Sequence, residues 1–510
     1  MYLFYKCLKK SNIANRMVNS SRHTLLLRVI FSSLCLVFLY TLTLRIVFLL
    51  SYLPETGGSS IDVLYGIMRI LKGRNLYNNP ELPPYPVIQF MPLYYYVVAG
   101  VSQILEISQN LHAVSVVNRM CSLGFNLFIF IPVHRILKKI FECHETIIHW
   151  IAFMVIFILI PAADFAGVGS LCLLAMTFAI YYFLCFLNLY DYKYGSELVL
   201  TGIATALAVF IDQVALFLFA GILSFLLFHV KDKKAALLFL ISYAIAFLFL
   251  FMILVGNNTP YWFLNVIYGI RSSFNLYFLS NIGKLPIFTY AYILFMLLLA
   301  VAFLFMKQLD KRLKFLRFIA LWNLLFLLFE VFTAGSHQIT YSLVFVMVIV
   351  IAFIELQEKY LLSSMIKLAL TVMAFFLILN LTIEKNWLLL KDLKGAKSDY
   401  TDCSIAATYV KHNVKNDEYI FTEFQSQNML NLMIGEKALY PTYRKVVESA
   451  FAEQIFKYND FTQRVKDGKI KYLIAKKGMK PELFLNVEFE GYEKEATIRG
   501  YDVYIYHESR

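Results

Sequence analysis

Long apolar runs, separated by short polar turns, fill most of this chain up to residue 384. A helix needs about 20 apolar residues to cross a hydrocarbon core of about 30 Å. Matching the runs to that length predicts about eleven crossings, at residues 25–53, 118–136, 149–164, 167–187, 198–211, 214–230, 235–255, 286–306, 318–334, 340–354 and 364–383. The pattern therefore predicts an all-α polytopic membrane domain over residues 25–384.

The apolar run at 92–105 is shorter than a crossing helix and follows a cluster of prolines. If it crossed, the basic segment 134–142 would lie outside, against the tendency of Lys and Arg to stay on the cytoplasmic side. We therefore expect 92–105 to be re-entrant or to lie on the membrane surface. Residues 1–24, which carry basic and no acidic side chains, are then cytoplasmic, as is 134–142.

From residue 385 onward, charged residues become frequent and the apolar runs shorten to strand length. Strands are predicted at 419–422, 438–440, 470–475 and 502–506, with helical patterns at 400–413 and 446–467. The chain is thus expected to end in a small α/β domain over 385–510. An odd number of crossings places this domain outside the cytoplasm, on the same side as the polar loop 54–91.

Composition supports the membrane assignment. The chain is 60% hydrophobic and 16% charged, whereas soluble domains are about 25% charged. Many Lys and Arg residues behind the net charge of +13 lie in short loops, where they fix topology and meet anionic lipid head groups, so the charge does not indicate nucleic-acid binding. The seven cysteines show no pairing or metal-ligand spacing and are expected to act as small apolar residues. No cleavable signal peptide is expected, because the run 25–53 is too long for one.

The loop 54–91 holds the strongest candidate for chemistry. Asp62 lies directly before an amphipathic pattern that predicts a helix lying on the membrane. Asp is a preferred N-cap residue, so Asp62 is expected to cap this helix, to act as a site carboxylate, or to do both.

Other polar residues stand at predicted membrane ends or within crossings. Asp164 and Asp212 end two of the crossings; carboxylates at this depth are costly and usually face a cavity, although both would also suit helix caps at the head-group level. Glu330 lies inside a crossing. Weaker loop candidates are Glu55, Glu81, Asn265, Arg271 and His337. An interfacial aromatic belt, or a wall for a sugar or a lipid phosphate, is expected of Tyr77, Tyr85 and Tyr94–Tyr96.

Several motifs follow one another in a recognisable order. They are Arg45 in the first crossing, D-x-x-Y at 62–65, G-x-x-L-Y at 73–77, MPLYYY at 91–96, NRMCSL at 118–123, PAADFAGVGSL at 161–171, DQVAL at 212–216 and AGSHQITY at 334–341. Over roughly residues 25–385 the chain resembles the GT-C class of polytopic membrane glycosyltransferases. Within that class it is similar to the protein O-mannosyltransferases and aminoarabinose transferases of family 39, and to related enzymes of bacterial envelopes.

The resemblance implies an enzyme of the cell inner membrane that takes a sugar from a polyprenyl-phosphate donor on the non-cytoplasmic face. Transfer would proceed by single displacement with inversion, to an envelope glycan, a lipid or a protein. Such enzymes place an acidic residue in the first outer loop as general base or metal contact, and by position this is Asp62; a base is needed to take the acceptor proton. Substrate contacts are expected from Tyr65, Arg69, Lys72, Arg74, Tyr77, Glu81, Asp164, Asp212, Gln213, Arg271 and His337.

The chain departs from the family pattern at defined positions. Val63 stands where relatives commonly have Glu, Ala162 and Ala163 replace an Arg-Pro pair, and Asp212 replaces a Lys. These departures leave open whether a divalent cation takes part and how the donor is held. Two other functions stay open: a flippase for a lipid-linked sugar, which would show paired halves with broken helices, and a non-catalytic scaffold.

Overall fold

The computed structural model describes residues 21–52, 58–107, 110–142, 146–160, 167–189, 195–268, 311–319, 321–322, 393–422, 427–439, 459–479 and 491–507. Five candidate residues lie outside these ranges, as do almost all of the last four predicted crossings: Glu55, Asp164, Arg271, Glu330 and His337. The expected total of about eleven crossings therefore stays a prediction.

The described part of the membrane region is helical. Its α-helices are α1 (Ser21–Leu50), α2 (Gly58–Leu71), α3 (Leu93–Ile104), α4 (Leu111–Phe128), α5 (Phe130–Arg135), α6 (Thr146–Leu159), α7 (Gly169–Leu189), α8 (Ser196–Ile211), α9 (Leu216–Phe225), α10 (Lys233–Leu254) and α11 (Thr259–Trp262). π-Helical turns extend α5 to Ile140, α9 to Val230 and α11 to Tyr268, and a 3₁₀ turn, Gln213–Ala215, precedes α9.

Within the described residues, five helical segments are long and apolar enough to cross a membrane: Ser32–Leu50, Leu111–Ile140, Gly169–Asn188, Gln213–Val230 and Lys233–Leu254. Two shorter apolar helices, His149–Ile158 and Ser196–Ile211, lie between them. Together these seven segments overlap the first seven predicted crossings. The chain is a multi-pass membrane protein.

The end of α1 and the beginning of α4 lie together. Arg119 of α4 donates from Nη1 to the carbonyls of Phe48 and Ser51, at 2.9 Å each, and Tyr52 stacks on His112 at 4.1 Å. The chain between them, which includes α2 and α3, therefore makes no net crossing. The 12 residues of α3 span about 18 Å at about 1.5 Å per residue, well short of the hydrocarbon core. This arrangement agrees with a run at 92–105 that does not cross.

Contacts between helix ends show that the bundle alternates in direction. Arg45 of α1 donates to the carbonyl of Ile160 after α6, and Ser122 of α4 lies 2.9 Å from Ser170 of α7. The opposite end holds the pair His134–His149, with 2.8 Å between their Nδ1 atoms. We call the end where α1 ends and α4 begins the site end.

The described residues between 393 and 507 form a second, smaller unit, which is called the C-terminal unit. Its elements are α12 (Ala396–His412), β1 (Tyr419–Thr422), α13 (Gln427–Ile434), α14 (Asn459–Lys466), β2 (Ile470–Lys476), β3 (Tyr492–Ile498) and β4 (Tyr501–Tyr506). The sheet has the order β1-β2-β4-β3, with β1 parallel to β2 and the other pairs antiparallel. Its apolar core includes Ala406, Ile420, Leu430, Ile474 and Val503.

Three predicted strands are confirmed as β1, β2 and β4. The strand expected at 438–440 is a single bridge between Ile420 and Ala438. The pattern did not indicate β3, because much of its YEKEATI sequence is exposed and charged.

Candidate functional site

Asp62 lies within α2, at its fifth residue, because the helix already begins at Gly58. The expectation that Asp62 caps this helix is therefore wrong: the polar residues before it belong to the helix. Asp62 is 1% exposed. A carboxylate is costly to bury, and α2 is not one of the candidate crossings. The nearly complete burial of Asp62 therefore makes it a candidate functional residue.

The next turn of α2 brings the helix backbone against an aromatic ring. A Cβ atom at Gly66 would stand 2.5 and 2.6 Å from two ring carbons of Tyr95 on α3, and 3.0 Å from Leu76. Gly66 therefore allows α2 and α3 to cross closely. Residues four apart share a helix face, so the face that carries Asp62 also meets Tyr95.

Tyr95 of α3 is a buried residue whose pKa is affected by two carboxylates. Its side chain is fully buried, and its hydroxyl has no hydrogen-bond partner among the described residues. Burial raises the pKa of Tyr95, and the nearby groups Tyr77, Asp62 and Asp212 raise it further. Asp62 from α2 and Asp212 from the end of α8 thus both lie near enough to Tyr95 to raise its pKa.

Asp212 stands where α8 ends and the polypeptide turns back into α9. Its carboxylate accepts a hydrogen bond from the backbone N–H of Val214 at 3.1 Å, so the expected capping role is confirmed. The adjacent Gln213 donates from Nε2 to the carbonyl of Gln89 at 3.2 Å. The Oε1 atom of Gln213 is buried and has no hydrogen-bond partner in the described part of the chain.

The loop between α2 and α3 is held by amide side chains from the region of α11. Asn265 donates to the carbonyl of Asn78 at 2.6 Å and accepts from the N–H of Ile88 at 2.9 Å. Inside the loop, the hydroxyl of Tyr77 donates to the carbonyl of Phe90 at 2.8 Å. Two of the expected site residues, Asn265 and the fully buried Tyr77, thus fix the loop in place. Glu81, half-buried, lies in a turn of the same loop.

The tyrosines 94–96 do not form one exposed belt. Tyr94 and Tyr95 are fully buried, and only Tyr96 is partly exposed. The hydroxyl of Tyr94 donates to Oδ1 of Asn118 on α4 at 2.7 Å. Successive tyrosines therefore have different roles: Tyr94 joins α3 to α4, while Tyr95 packs against α2 at Gly66.

Basic residues gather around the far end of α2. Arg69 is 3% exposed and donates to Tyr65 at 3.3 Å and, across the boundary with the C-terminal unit, to Glu436 at 3.1 Å. Arg74 lies 3.1 Å from the same carboxylate. Burial lowers the pKa of Lys72, and the nearby charge of Lys411 lowers it further. The expected substrate-binding residues Arg69, Lys72 and Arg74 are thus brought together, with Glu436 among them.

Two further contacts join the C-terminal unit to the site end. Tyr400 of α12 lies 5.2 Å from Tyr52, between ring centroids. Phe461 of α14 meets Tyr85 of the α2–α3 loop at 6.1 Å. The unit therefore contacts α2, the following loop and the region just after α1.

Two buried arginines hold helices of the bundle together by hydrogen bonds to backbone carbonyls. Arg119 donates to the last carbonyls of α1, and Arg45 donates to carbonyls at the end of α6, at 2.7 Å for Phe157. Cations at helix C-termini satisfy carbonyls that lack partners within the helix.

Sequence reasoning missed Glu436 as a site residue, and it gave Tyr95 only as one member of an aromatic belt or of a wall for a sugar or a lipid phosphate. Tyr95 was one of three consecutive tyrosines, and only the crossing at Gly66 distinguishes it. Glu436 lies in a stretch where no motif was found. Within the described residues, no group of three or more His, Cys, Asp or Glu side chains gathers that could hold a metal ion.

Similar proteins are found by structure. No family model matches the sequence, and no curated protein is significantly similar to it. The chain superposes on ArnT from Cupriavidus metallidurans bound to undecaprenyl phosphate with a TM-score of 0.57 and 10% identity, over 93% of this chain and 98% of ArnT. The apo state of that enzyme gives 0.42 and 10% identity, over 95% and 98%. The oligosaccharyltransferase AglB from Archaeoglobus fulgidus, in complex with an inhibitory peptide and a dolichol-phosphate, gives 0.49 and 13%, over 87% and 69%.

The first superposition covers nearly the whole of both chains and shows a shared fold. ArnT is an aminoarabinose transferase of the GT-C class, the class that the motifs of this sequence resemble. The resemblance is therefore confirmed at the level of structure: the fold of this chain is the ArnT fold.

Proposed function

We propose that this protein is an integral-membrane glycosyltransferase that takes a sugar from a polyprenyl-phosphate donor at the site end. The observation that carries the proposal is the Asp62 carboxylate buried in α2, one turn before the close crossing with α3 at Gly66, in a chain with the ArnT fold. ArnT itself was solved with undecaprenyl phosphate bound. The acceptor would be a hydroxyl or amine of an envelope glycan, a lipid or a protein.

In the proposed reaction, the acceptor attacks the anomeric carbon as the bond from that carbon to the phosphate oxygen breaks. Asp62 takes the acceptor proton, a step that a positioned base accelerates by about 10²–10⁴-fold. The lipid phosphate leaves with its negative charge, which cationic groups stabilise. Arg69, Lys72 and Arg74 supply positive charge at the other end of α2. A single displacement of this kind inverts the anomeric centre.

The proposed orientation of the helical bundle in the membrane rests on the distribution of basic residues. Residues 1–24 are basic and are expected in the cytoplasm, so α1 would end, and the site end would lie, on the opposite face. The basic segment 134–139 at the end of α5 is at the other end of the bundle, as the same rule requires. The C-terminal unit, which contacts the site end, would then be extracytoplasmic.

The test is turnover by purified full-length protein in detergent, with a panel of undecaprenyl-phosphate hexoses and aminopentoses and an envelope extract as acceptor. Asp62→Asn keeps the shape of the side chain and removes its basicity, so transfer should fall by about 10²–10⁴-fold. Asp417→Asn, at an exposed ion pair of the C-terminal unit, is the matched control and should keep full activity. Transfer retained in Asp62→Asn would remove Asp62 from the role of base. Movement of an intact lipid-linked sugar across the bilayer of liposomes that contain the protein, without bond cleavage, would indicate a flippase.

A further inference from the structure

One carboxylate of the C-terminal unit binds two basic residues of the α2 region. The two oxygens of Glu436 accept from Nη1 of Arg69 at 3.1 and 3.2 Å, and Nη1 of Arg74 lies 3.1 Å from Oε2. The side chains of Arg69 and Glu436 are 3% and 18% exposed. Solvent therefore screens this contact far less than it screens an ion pair on the open surface.

Arg69 and Asp62 belong to the same face of α2. They are seven residues apart, which is two turns of helix, or about 10 Å along the axis. Any sliding or rotation of α2 at Arg69 therefore also displaces Asp62. For a side chain about 5–6 Å from the helix axis, a rotation of about 10° moves the carboxylate by about 1 Å. A misplacement of about 1 Å at a reacting group can cost about 10²-fold in rate.

Apolar packing does not fix such a rotation. Leu432 of α13 shares a core with Leu64 and Ile67 of α2, but apolar contact is non-directional. An arginine–carboxylate pair, in contrast, has defined donor and acceptor directions. Glu436 of the C-terminal unit supplies such a pair to Arg69 of α2. Arg69 also donates to the hydroxyl of Tyr65 and to the carbonyl of Asn75. Fixing the Arg69 side chain therefore also restrains the rest of α2 and the residues that follow it.

We propose that Glu436 is a positioning residue, which acts through Arg69 to set the rotation of α2 and hence the place of the Asp62 carboxylate. The inference rests on the proposed function for its effect on turnover. The C-terminal unit is then part of the catalytic apparatus, because it holds the helix that carries the base. Removing the charge of Glu436 should impair the chemical step and leave donor binding nearly intact.

The experiment compares full-length Glu436→Gln, Glu436→Asp and Asp417→Asn in detergent. Asp417→Asn breaks an exposed ion pair with Lys469 in the same unit and controls for general loss of charge. Glu436→Gln should lower kcat by 10- to 100-fold while KM for the undecaprenyl-phosphate sugar changes less than twofold, and Glu436→Asp should recover part of the loss.

Amide hydrogen exchange is the readout that does not depend on turnover. In Glu436→Gln, exchange of the α2 amides should accelerate while the β2 and β4 amides keep the wild-type rate, which also shows that the unit is folded. If the wild-type protein transfers no sugar from any donor, the proposed function fails, yet the exchange result still tests the contact. Unchanged α2 exchange, or a rise in KM alone at normal kcat, would overturn the positioning role.

Discussion

The close crossing at Gly66 makes the site sensitive to a single methyl group. In Gly66→Ala, the new Cβ would lie 2.5 and 2.6 Å from ring carbons of Tyr95 and 3.0 Å from Leu76, all closer than ordinary contact. Tyr95 is fully buried, so its ring cannot swing into solvent. The substitution must either push the ring aside or separate α2 from α3.

The magnitude follows from two opposing terms. Replacing Gly by Ala inside a helix gains about 1 kcal/mol, whereas overpacking a buried contact costs about 1–3 kcal/mol. The matched control is Gly100→Ala in α3, where no atom lies within 4 Å of the added Cβ. The helix-propensity gain of replacing Gly by Ala is the same in both variants and cancels in the comparison. The overpacking cost remains, so Gly66→Ala should be less stable than Gly100→Ala by about 1–3 kcal/mol.

Thermal unfolding in detergent and sugar transfer measure the two consequences. At about 2–4 °C per kcal/mol for larger domains, the midpoint of Gly66→Ala should lie several degrees below that of Gly100→Ala. Transfer should fall by about 10–100-fold, because Asp62 sits one turn from the clash and a shift of about 1 Å has this effect. Equal midpoints and equal activities would refute the close crossing of α2 and α3.

Three further outcomes are expected. Tyr95→Phe should leave the midpoint of thermal unfolding unchanged or slightly raised, because the hydroxyl that it removes is buried and has no hydrogen-bond partner among the described residues. Arg119→Lys, measured by thermal unfolding, should destabilise the bundle by about 1–3 kcal/mol, since a single ammonium cannot satisfy the same set of carbonyls. Burial would raise the pKa of Asp502, but bonds from the Gly478 N–H and from Lys494 outweigh it and lower the pKa to about 2. The contribution of Asp502 to the free energy of unfolding is therefore complete above the usual pKa of 3.8 and is lost as the pH falls towards about 2. In Asp502→Asn, the free energy of unfolding, followed by tyrosine near-UV circular dichroism, should therefore fall less steeply over this pH range than in the wild type.

The membrane helices were predictable because the signal is local. A run such as 235–255 reveals a crossing by its own length, and α10 occupies Lys233–Leu254. The amphipathic helix after residue 57 and the candidate Asp62 were predictable for the same reason. The helix boundary was not: polar residues before Asp62 suggested a cap, although they form the first turn of α2.

The partners of Asp62 could not be read from the sequence. Tyr95 and Asp212 come from different helices, and each has an ordinary local explanation, an aromatic belt and a helix cap. Glu436 is one acid in a polar stretch. Its proposed role depends on its contact with Arg69, which is 367 positions away in the sequence. Residues whose role depends on long-range packing leave no local pattern to find.

The carboxylate at Asp212 constrains how a donor would lie in the proposed site. Asp212 and Asp62 both raise the pKa of Tyr95, so two negative charges lie near this residue. Two carboxylates near one point repel a phosphate, so the leaving phosphate cannot be held there by this residue. At the other end of α2, the three cations Arg69, Lys72 and Arg74 stand against the single acid Glu436. The proposed reaction then requires the phosphate to lie towards Arg69 and the acceptor towards Asp62, with the sugar spanning the two turns of helix between them.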